Sequence, residues 1–468
     1  MSALVTKSGV TLKRALGFWQ SFGIAVGLVV AATTMVSLTN YFGNVGPAFI
    51  IPAAIAGVAV IFIVMSYAEL ATAIPGCGMI ADYTLPAMGR SMAIFGVLTG
   101  YIVLISAGGA CESFISGMCA NYVWGVPVKP FAFGLLLLFL IINFIGVEFL
   151  GRAQIILTVG MISVLVILGI GGLLGVGVTA EPLPFVFNPY GWGTVATAML
   201  GGIWLYIGIE YVCPMTEEIV NPEKNIPRAM ILGVVVIFIA DMLFGLAVVK
   251  YVPLDLIAIS DIPQLVGAEV MYGTAGVTLL AIATIFAGAS SADSHMAAVP
   301  RMLYGLARDG MLPRAVAYLH PRFRTPWIAI LIAFGCLSSP LFVNVDISVI
   351  MNYVSIACVA WLVSYIIVQV DLIILRKKYP NLHRPFKSPM YPLPQIVGIL
   401  TCLYTIATSG GEAIWGATIF MGVFMVYSLI WVKFKMKEKC FQPLGFEEMS
   451  HISVKFDEVS TNKAMELE

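Results

Sequence analysis

Residues 201–210 read GGIWLYIGIE, and this stretch decides how the whole sequence is interpreted. Two glycines open it, Gly208 interrupts an apolar run that contains Trp204, and Glu210 follows two residues later. In lipid, backbone amides must be paired, so a helix is broken only where protein or an aqueous cavity satisfies the freed groups. The stretch therefore predicts a broken membrane helix, and the break is a candidate binding site.

The composition indicates a membrane protein. Of the 468 residues, 60% are hydrophobic and 11% are charged, whereas a soluble domain has about 25% charged residues. Windows without Lys or Arg, each long enough to cross about 30 Å of hydrocarbon, recur from Ala15 to about Val432. We therefore expect an all-α polytopic membrane protein with about twelve transmembrane helices. The first window lacks the cleavage site of a signal peptide and is interpreted as a retained helix.

The predicted spans are residues 15–39, 47–72, 91–122, 130–149, 153–178, 193–215, 229–251, 272–306, 326–344, 347–373, 391–410 and 413–433. They divide the chain into a cytoplasmic N-terminal segment (1–14), a transmembrane domain (15–435) and a cytoplasmic C-terminal tail (436–468). Within it, Phe441 to Glu468 is polar and of mixed charge, so we expect a solvated tail or a loosely ordered regulatory segment.

The Lys and Arg residues are distributed asymmetrically over the connections. With the N-terminus inside, the outside receives only Lys129 and Lys250, while the other basic residues lie on the cytoplasmic side. The positive-inside rule therefore predicts that both termini are cytoplasmic, in a multi-pass protein of the cell membrane. The formal net charge is zero. No nucleic-acid partner is expected, and the protein is surrounded by the lipid bilayer.

A second interruption is expected in the first span, where Gly23 and Gly27 precede Ala31, Ala32 and Thr33. The first and sixth spans hold corresponding positions if two five-helix halves repeat with inverted topology. That arrangement places discontinuous helices around a site at the middle of the membrane. Glycine also serves in membrane helices simply to let neighbours approach closely, and this alternative stays open.

Four acids lie within predicted spans: Glu112, Glu210, Asp241 and Asp293. An ionised group at the bilayer centre costs about 3 kcal/mol, so each acid needs a partner, a proton or a polar cavity. Acids without buried Lys or Arg suit a cationic amine, and burial equally favours proton binding. A neutral acid that ties two helices together is the structural alternative. Glu69, Glu217 and Glu218 lie near the cytoplasmic boundary, where we expect them to cap helices or pair with basic residues.

Three serines, Ser290, Ser291 and Ser294, surround Asp293. Serine oxygens are hard ligands that suit sodium, which makes a sodium site between the first and eighth helices one hypothesis. Serines that bond back to helix carbonyls without any function are the other. No metal or cofactor is expected, because the eight cysteines contain no CxxC pair and His295 has no His or Cys at ligand spacing.

Several segments resemble the amino acid, polyamine and organocation transporter superfamily. The strongest match is WLYIGIE (204–210) followed by EEIVNPEKNIPRA (217–229). Shorter matches are SYAEL (66–70), IPG (74–76), Asn143 with Gly146 and Val147, RMLY (301–304) and ARDGMLP (307–313).

The resemblance implies the fold of the bacterial leucine transporter. Two inverted five-helix repeats, about 15–178 and 193–373, would be followed by two peripheral helices, about 391–433. It also implies alternating access around a site between helices one, three, six, eight and ten. In the family's arginine/agmatine exchanger, a tryptophan of the sixth helix stacks on the substrate, and Trp204 matches that position.

The sequence departs from the family pattern at two places. The family's first break usually reads Gly, a small residue, Gly, and its amides hold the substrate carboxylate, whereas the aligned stretch here is Ala31-Ala32-Thr33. Many members carry a lysine in the fifth helix about seven residues after a glutamine. Here Gln154 leads to Met161, so coupling through a lysine-bound proton is not expected.

We therefore expect a secondary transporter, not an enzyme, for an amino acid or a related amine. Transport would be coupled to protons or sodium, or proceed by exchange. The alternatives are a polyamine or organic-cation exchanger without carboxylate recognition, or a cation channel. The candidate substrate-binding residues are Ala31, Ala32, Thr33, Glu112, Trp204, Ile207 and Gly208. The candidate coupling residues are Glu210, Asp293 and Ser290.

The topology is testable by cysteine labelling. The connection from Val249 to Met271 should be outside, and the connection that contains Gly310 should be inside, as the Lys and Arg asymmetry requires. Single cysteines at Asp255 and Gly310 should therefore be labelled from opposite faces of the membrane. Equal accessibility from one face would contradict the predicted helix count.

Overall fold

The structure is a computed structural model that describes residues 16–145, 147–320, 323, 325–342, 347–446 and 448–449. These residues form helices and connections, with no named β-strand among them. The predicted N-terminal segment (1–14) and the part of the predicted tail beyond residue 449 lie outside the described residues.

The α-helices of the first part of the chain run to residue 174. A 3₁₀ turn (Pro47–Phe49) precedes the third helix, and a π-helical segment (Leu98–Ile102) separates the fifth from the sixth. The helices are α1 (Phe18–Val29), α2 (Ala32–Val45), α3 (Ile50–Ala73), α4 (Ile80–Met88), α5 (Arg90–Val97), α6 (Val103–Ser106), α7 (Gly108–Trp124), α8 (Val128–Ile145) and α9 (Val147–Leu174).

The second part begins with two short helices and a 3₁₀ segment (Ile209–Glu218). Further 3₁₀ turns lie at Arg314–Ala317 and Ser339–Phe342, and a π-helical segment (Trp431–Met436) follows the last helix. The helices are α10 (Trp192–Thr197), α11 (Met199–Trp204), α12 (Pro222–Tyr251), α13 (Leu254–Ile259), α14 (Pro263–Arg308, kinked at Gly273), α15 (Trp327–Ser338), α16 (Ile347–Lys378), α17 (Leu393–Thr408) and α18 (Gly411–Ile430).

Within the described residues, eight helices are long and apolar enough to cross a membrane, and α1 with α2 adds a ninth if the bent pair is one span. The helices α15 and α17 are shorter and also apolar. The expectation of an all-α polytopic membrane protein is thus confirmed at this level. The count of about twelve spans and the inverted repeats stay predictions.

Both predicted interruptions are present. The axes of α1 and α2 differ by 56°, and α11 ends at Trp204 before the 3₁₀ segment begins at Ile209. Between them, Gly208 has a φ of +103°, in the left-handed region that residues with a Cβ rarely adopt. A Cβ on Gly208 would also lie 2.3 Å from Leu28 Cδ2. The second break therefore needs glycine for its backbone and for its contact with α1.

A buried ion cluster joins α3 to the connection between α16 and α17. Glu69 is fully buried, and its Oε1 accepts from Arg376 Nε at 2.9 Å and lies 3.1 Å from Arg384 Nε. The Ser388 N–H donates to Glu69 Oε2 at 2.7 Å. Two guanidinium groups thus offset the cost of burying one carboxylate. The prediction that Glu69 pairs with basic residues is confirmed.

The start of the predicted tail is packed against the bundle, in contrast to the expected solvated segment. Leu444 is only 2% exposed, and its N–H donates to Leu85 O at 3.2 Å. The Ser91 N–H donates to Cys440 O at 2.9 Å. Polar composition alone did not predict this, because a few apolar residues and backbone hydrogen bonds are enough to order a short segment.

The packing of α2 on α12 yields a stability prediction. A Cβ on Gly245 would lie 2.0 Å from Phe42 Cε2, and the Phe42 ring is fully buried. Gly245→Ala should therefore lower the free energy of unfolding by about 1–3 kcal/mol, the usual cost of overpacking.

The matched control is Gly422→Ala on α18, where an added Cβ meets nothing within 4 Å. Thermal unfolding of the purified variants in detergent should show a lower melting temperature for Gly245→Ala alone. Equal melting temperatures would contradict the tight contact between α2 and α12.

Candidate functional site

A small, partly open cavity lies between the two broken spans. Its volume is about 20 Å³, on a scale where one water needs roughly 10–15 Å³. It therefore has room for about one water. The cavity is lined by Leu28, Ala31, Thr33, Thr34, Leu104, Gly108, Gly109, Glu112, Trp204, Ile207, Ser291, His295 and Trp361.

Most of the predicted binding residues meet at this cavity. Its lining includes Ala31 and Thr33 from the first break, Glu112 from α7, and Trp204 and Ile207 from the second break. The other two predicted residues act at the breaks without lining the cavity. Ala32 is the first residue of α2, and Gly208 gives the second break its backbone conformation.

Glu112 accepts the hydrogen bonds that the start of α2 donates. The Thr33 N–H donates to Glu112 Oε2 at 3.1 Å, and the Thr33 hydroxyl donates to Oε1. The N-cap residue Ala31 has no side chain that can accept from these amides. The first N–H groups of a helix carry partial positive charge and lack partners within the helix. The carboxylate of Glu112 therefore supplies from α7 the acceptor that the first break lacks.

Close packing of α7 on α14 holds Glu112 in place. A Cβ on Gly288 would lie 2.0 Å from Ser116 Oγ and 2.7 Å from Glu112 O, so only glycine allows this approach. The Ser116 hydroxyl donates to Glu112 O at 2.8 Å. Glu112 itself is 3% exposed. Its carboxylate is thus confined between the start of α2 and the cavity.

Glu210 lies beyond the cavity wall, where three aromatic side chains hold it. Its Oε1 accepts from Trp361 Nε1 at 2.8 Å and from the Tyr101 hydroxyl at 3.2 Å. Its Oε2 accepts from the Tyr365 hydroxyl at 2.7 Å. Glu210 is fully buried and does not line the cavity, whereas Trp361 does. Trp361 therefore connects the acid to the cavity.

These three donors were missed by the sequence interpretation. Trp361 and Tyr365 are four residues apart on α16, a spacing that places them on one helix face. That spacing was the available signal, since the tenth span was expected at the site. Tyr101 carried no comparable signal, because it lies in a predicted span between apolar neighbours.

His295 contributes a further ring to the cavity. Its Nδ1 lies 3.2 Å from the Tyr211 hydroxyl, and Tyr211 stacks on Trp361 with 5.6 Å between ring centroids. The sequence analysis considered His295 only as a metal ligand. With Trp204 and Trp361, it makes the cavity rich in aromatic rings around a single acid.

The serines expected to bind sodium are engaged by an amide. Gln154 Nε2 donates to Ser290 Oγ at 2.7 Å and to Ser294 Oγ at 3.0 Å. The Ser290 hydroxyl donates to Gly27 O at 2.7 Å. Ser290 thus bonds across to α1, not back to its own helix. Its hydrogen-bonding groups are used by Gln154 and by the end of α1.

Asp293 and Asp241 are buried away from the cavity. Asp293 Oδ1 accepts from Asn143 Nδ2 at 2.9 Å, and Oδ2 has no hydrogen-bond partner among the described residues. Both carboxyl oxygens of Asp241 lack a partner in the same part of the chain. Of the four acids expected within spans, only Glu112 lines the cavity.

Helices long and apolar enough to cross a membrane, with a cavity between two broken spans, are the features of a membrane transporter. The family model described as "Amino acid permease" matches residues 16–434. The chain therefore belongs to the amino acid permease family, and it is a transporter, not an enzyme. This match confirms the resemblance carried by residues 204–229.

Curated relatives align over most of both chains. The branched-chain amino acid permease BcaP of Bacillus subtilis is 25% identical over 86% of this chain and 90% of its own. The b(0,+)-type amino acid transporter 1 of Mus musculus is 26% identical over 93% of this chain and 91% of its own. The cystine/glutamate transporter of Homo sapiens is 26% identical over 86% of this chain and 81% of its own.

Trp204 yields a prediction for binding. It is 7% exposed, lines the cavity, and its indole N–H has no partner among the described residues. A desolvated aromatic face contributes about 2 kcal/mol to binding of a cation, so Trp204→Ala should weaken solute binding roughly tenfold or more.

The control is Trp415→Ala, since Trp415 is 71% exposed on α18 and does not line the cavity. Both variants should insert into the membrane normally, and calorimetric binding to the purified proteins measures the difference. If Trp204→Ala keeps wild-type affinity, the assignment of the cavity as the binding site is wrong.

Proposed function

We propose that this protein is a secondary transporter that moves an amino acid or a closely related amine by alternating access around the cavity between the two broken spans. The observation that carries the proposal is the cavity itself, since the two helix breaks, one acid and several aromatic rings line it. Breaks in membrane helices expose backbone groups to a solute, which is the usual construction of a transport site. The names of these three relatives, each an amino acid transporter, support the same solute class.

The proposal includes the arrangement expected from the sequence. Two inverted repeats, about 15–178 and 193–373, would provide the two breaks, and the helices about 391–433 would be peripheral. With about twelve spans, both termini would be cytoplasmic in a cell membrane protein.

Contacts at one end of the broken spans support a closed gate on the predicted cytoplasmic side. The Leu16 N–H donates to Glu218 O at 3.0 Å, and the Val220 N–H donates to Leu16 O at 2.9 Å. Arg301 Nε lies 3.4 Å from Glu218 Oε1, the pairing expected for this acid. These contacts join the start of α1, the end of the 3₁₀ segment and α14. Opening toward this side requires them to separate.

For the coupling ion we propose a proton bound by Glu210. When ionised, the Glu210 carboxylate accepts hydrogen bonds from all three aromatic donors. When protonated, it carries a hydrogen of its own, so the hydrogen bond from at least one of the three donors must change. Binding a proton therefore changes how Trp361 is held, and Trp361 lines the cavity. The solute and the proton would thus both act on Trp361. Sodium at Ser290 is less favoured, because the Gln154 amide already bonds to that serine and to Ser294.

Glu210→Gln tests this coupling. Glutamine keeps the size and the hydrogen-bonding capacity of the side chain but does not titrate. Wild-type uptake should fall as the pH rises from about 5 to 8, since fewer carboxyls then carry a proton. The variant should still bind and exchange solute, with uptake nearly independent of pH.

Uptake into proteoliposomes at several pH values, with and without sodium, measures both properties. Asp241→Asn is the matched control, because Asp241 is an equally buried acid away from the cavity. An unchanged pH profile in Glu210→Gln would refute the coupling role. A strict sodium requirement would transfer that role to the region of Ser290.

A further inference from the structure

We infer that the transported solute is an organic amine without a carboxylate beside its amino group, and that Glu112 binds its ammonium group. The inference rests on the proposed function and narrows its solute class. Three features of the cavity support it: the occupied start of α2, the charge of the lining, and the aromatic rings.

The place that would receive a solute carboxylate is already filled. The start of α2 is the positive end of a helix, and such an end is a ready anion site. Here the N–H and the hydroxyl of Thr33 both donate to the carboxylate of Glu112. A solute carboxylate would have to displace Glu112 from these donors. Glu112 is 3% exposed, so the displaced charge would stay buried without them.

The remaining charges around the cavity favour a cation. Glu112 is the acid in the lining, and no Lys or Arg is among the lining residues of the described chain. The C-terminal end of α1 at Val29 also places the negative end of a helix dipole beside the first break. An ammonium group is therefore stabilised here, whereas a second carboxylate would be repelled by the first.

The rings of the cavity suit the same solute. Trp204 and Trp361 line the cavity from two different helices, α11 and α16. Indole faces attract ammonium groups, most strongly where water is excluded. A carboxylate on one side and indoles around it form the chemistry that recognises an organic amine.

The test compares amino acids with the amines obtained by removing their carboxylate. The purified full-length protein would be titrated by thermal shift with matched pairs such as cadaverine and lysine, phenethylamine and phenylalanine, or isobutylamine and valine. A ligand that binds the folded state raises its apparent stability. At least one amine should bind ten times or more tightly than its parent amino acid, and the methyl ester of that amino acid should bind like the amine.

Two substitutions at Glu112 separate its roles. Glu112→Gln removes the charge at constant size and should weaken binding of the amine at least tenfold. Glu112→Ser leaves the first amides of α2 without an acceptor and should gain measurable affinity for the parent amino acid. The control Asp371→Asn should leave amine affinity unchanged, because Asp371 is a buried acid bonded to Thr84 at 2.6 Å and outside the cavity lining.

The outcomes are distinct. Amino acids that bind the wild-type protein as tightly as their amines, or more tightly, overturn the inference and leave the transport function standing. If Glu112→Gln does not fold, the comparison of solute pairs on the wild-type protein decides the question alone. A protein that no member of either series stabilises contradicts both the inference and the proposed function.

Discussion

The structure depends on one constraint: backbone groups freed at a helix break inside a membrane must find partners without water. At the first break, the carboxylate of Glu112 accepts from the start of α2. At the second, Gly208 turns the chain and its N–H lies 3.5 Å from the Tyr365 hydroxyl. Neither partner comes from the broken span itself. The helices α7 and α16 therefore have to pack where they do, and the cavity forms in the space that they enclose with the breaks.

The two acids of the site are held by donors of different kinds. Glu112 bonds to a helix end, and its environment is set by backbone charge. Glu210 bonds to two phenols and an indole, whose positions depend on side-chain packing. Side chains can reorient more readily than the end of a helix. The protein thus combines one acid held at the cavity by a helix end with a second acid whose surroundings can change, and Trp361 bonds to the second acid and lines the cavity.

The sequence was sufficient to predict the two breaks, because glycines interrupt an apolar span at both places and Glu210 follows the second interruption directly. Trp204, Ile207 and Glu112, which the sequence marked as candidate substrate-binding residues, all line the cavity. The sequence did not predict that Thr33 would bond to Glu112, or that Gln154 would reach Ser290, since those pairs are 79 and 136 residues apart. Aromatic residues such as Tyr101 are common in membrane helices, so periodicity does not separate site residues from packing residues. The packed segment around Leu444 was missed for the opposite reason, because it begins a tail whose overall composition is polar.

The contact of Leu16 with the 3₁₀ segment has a mechanical consequence. Two backbone hydrogen bonds join Leu16 to Glu218 and Val220 and form a short parallel β-bridge between the broken spans. Backbone hydrogen bonds of this kind do not depend on which side chains are present. Any displacement of α1 must either carry residues 218–220 along or break these bonds. The bridge therefore couples the start of the first broken span to the end of the second.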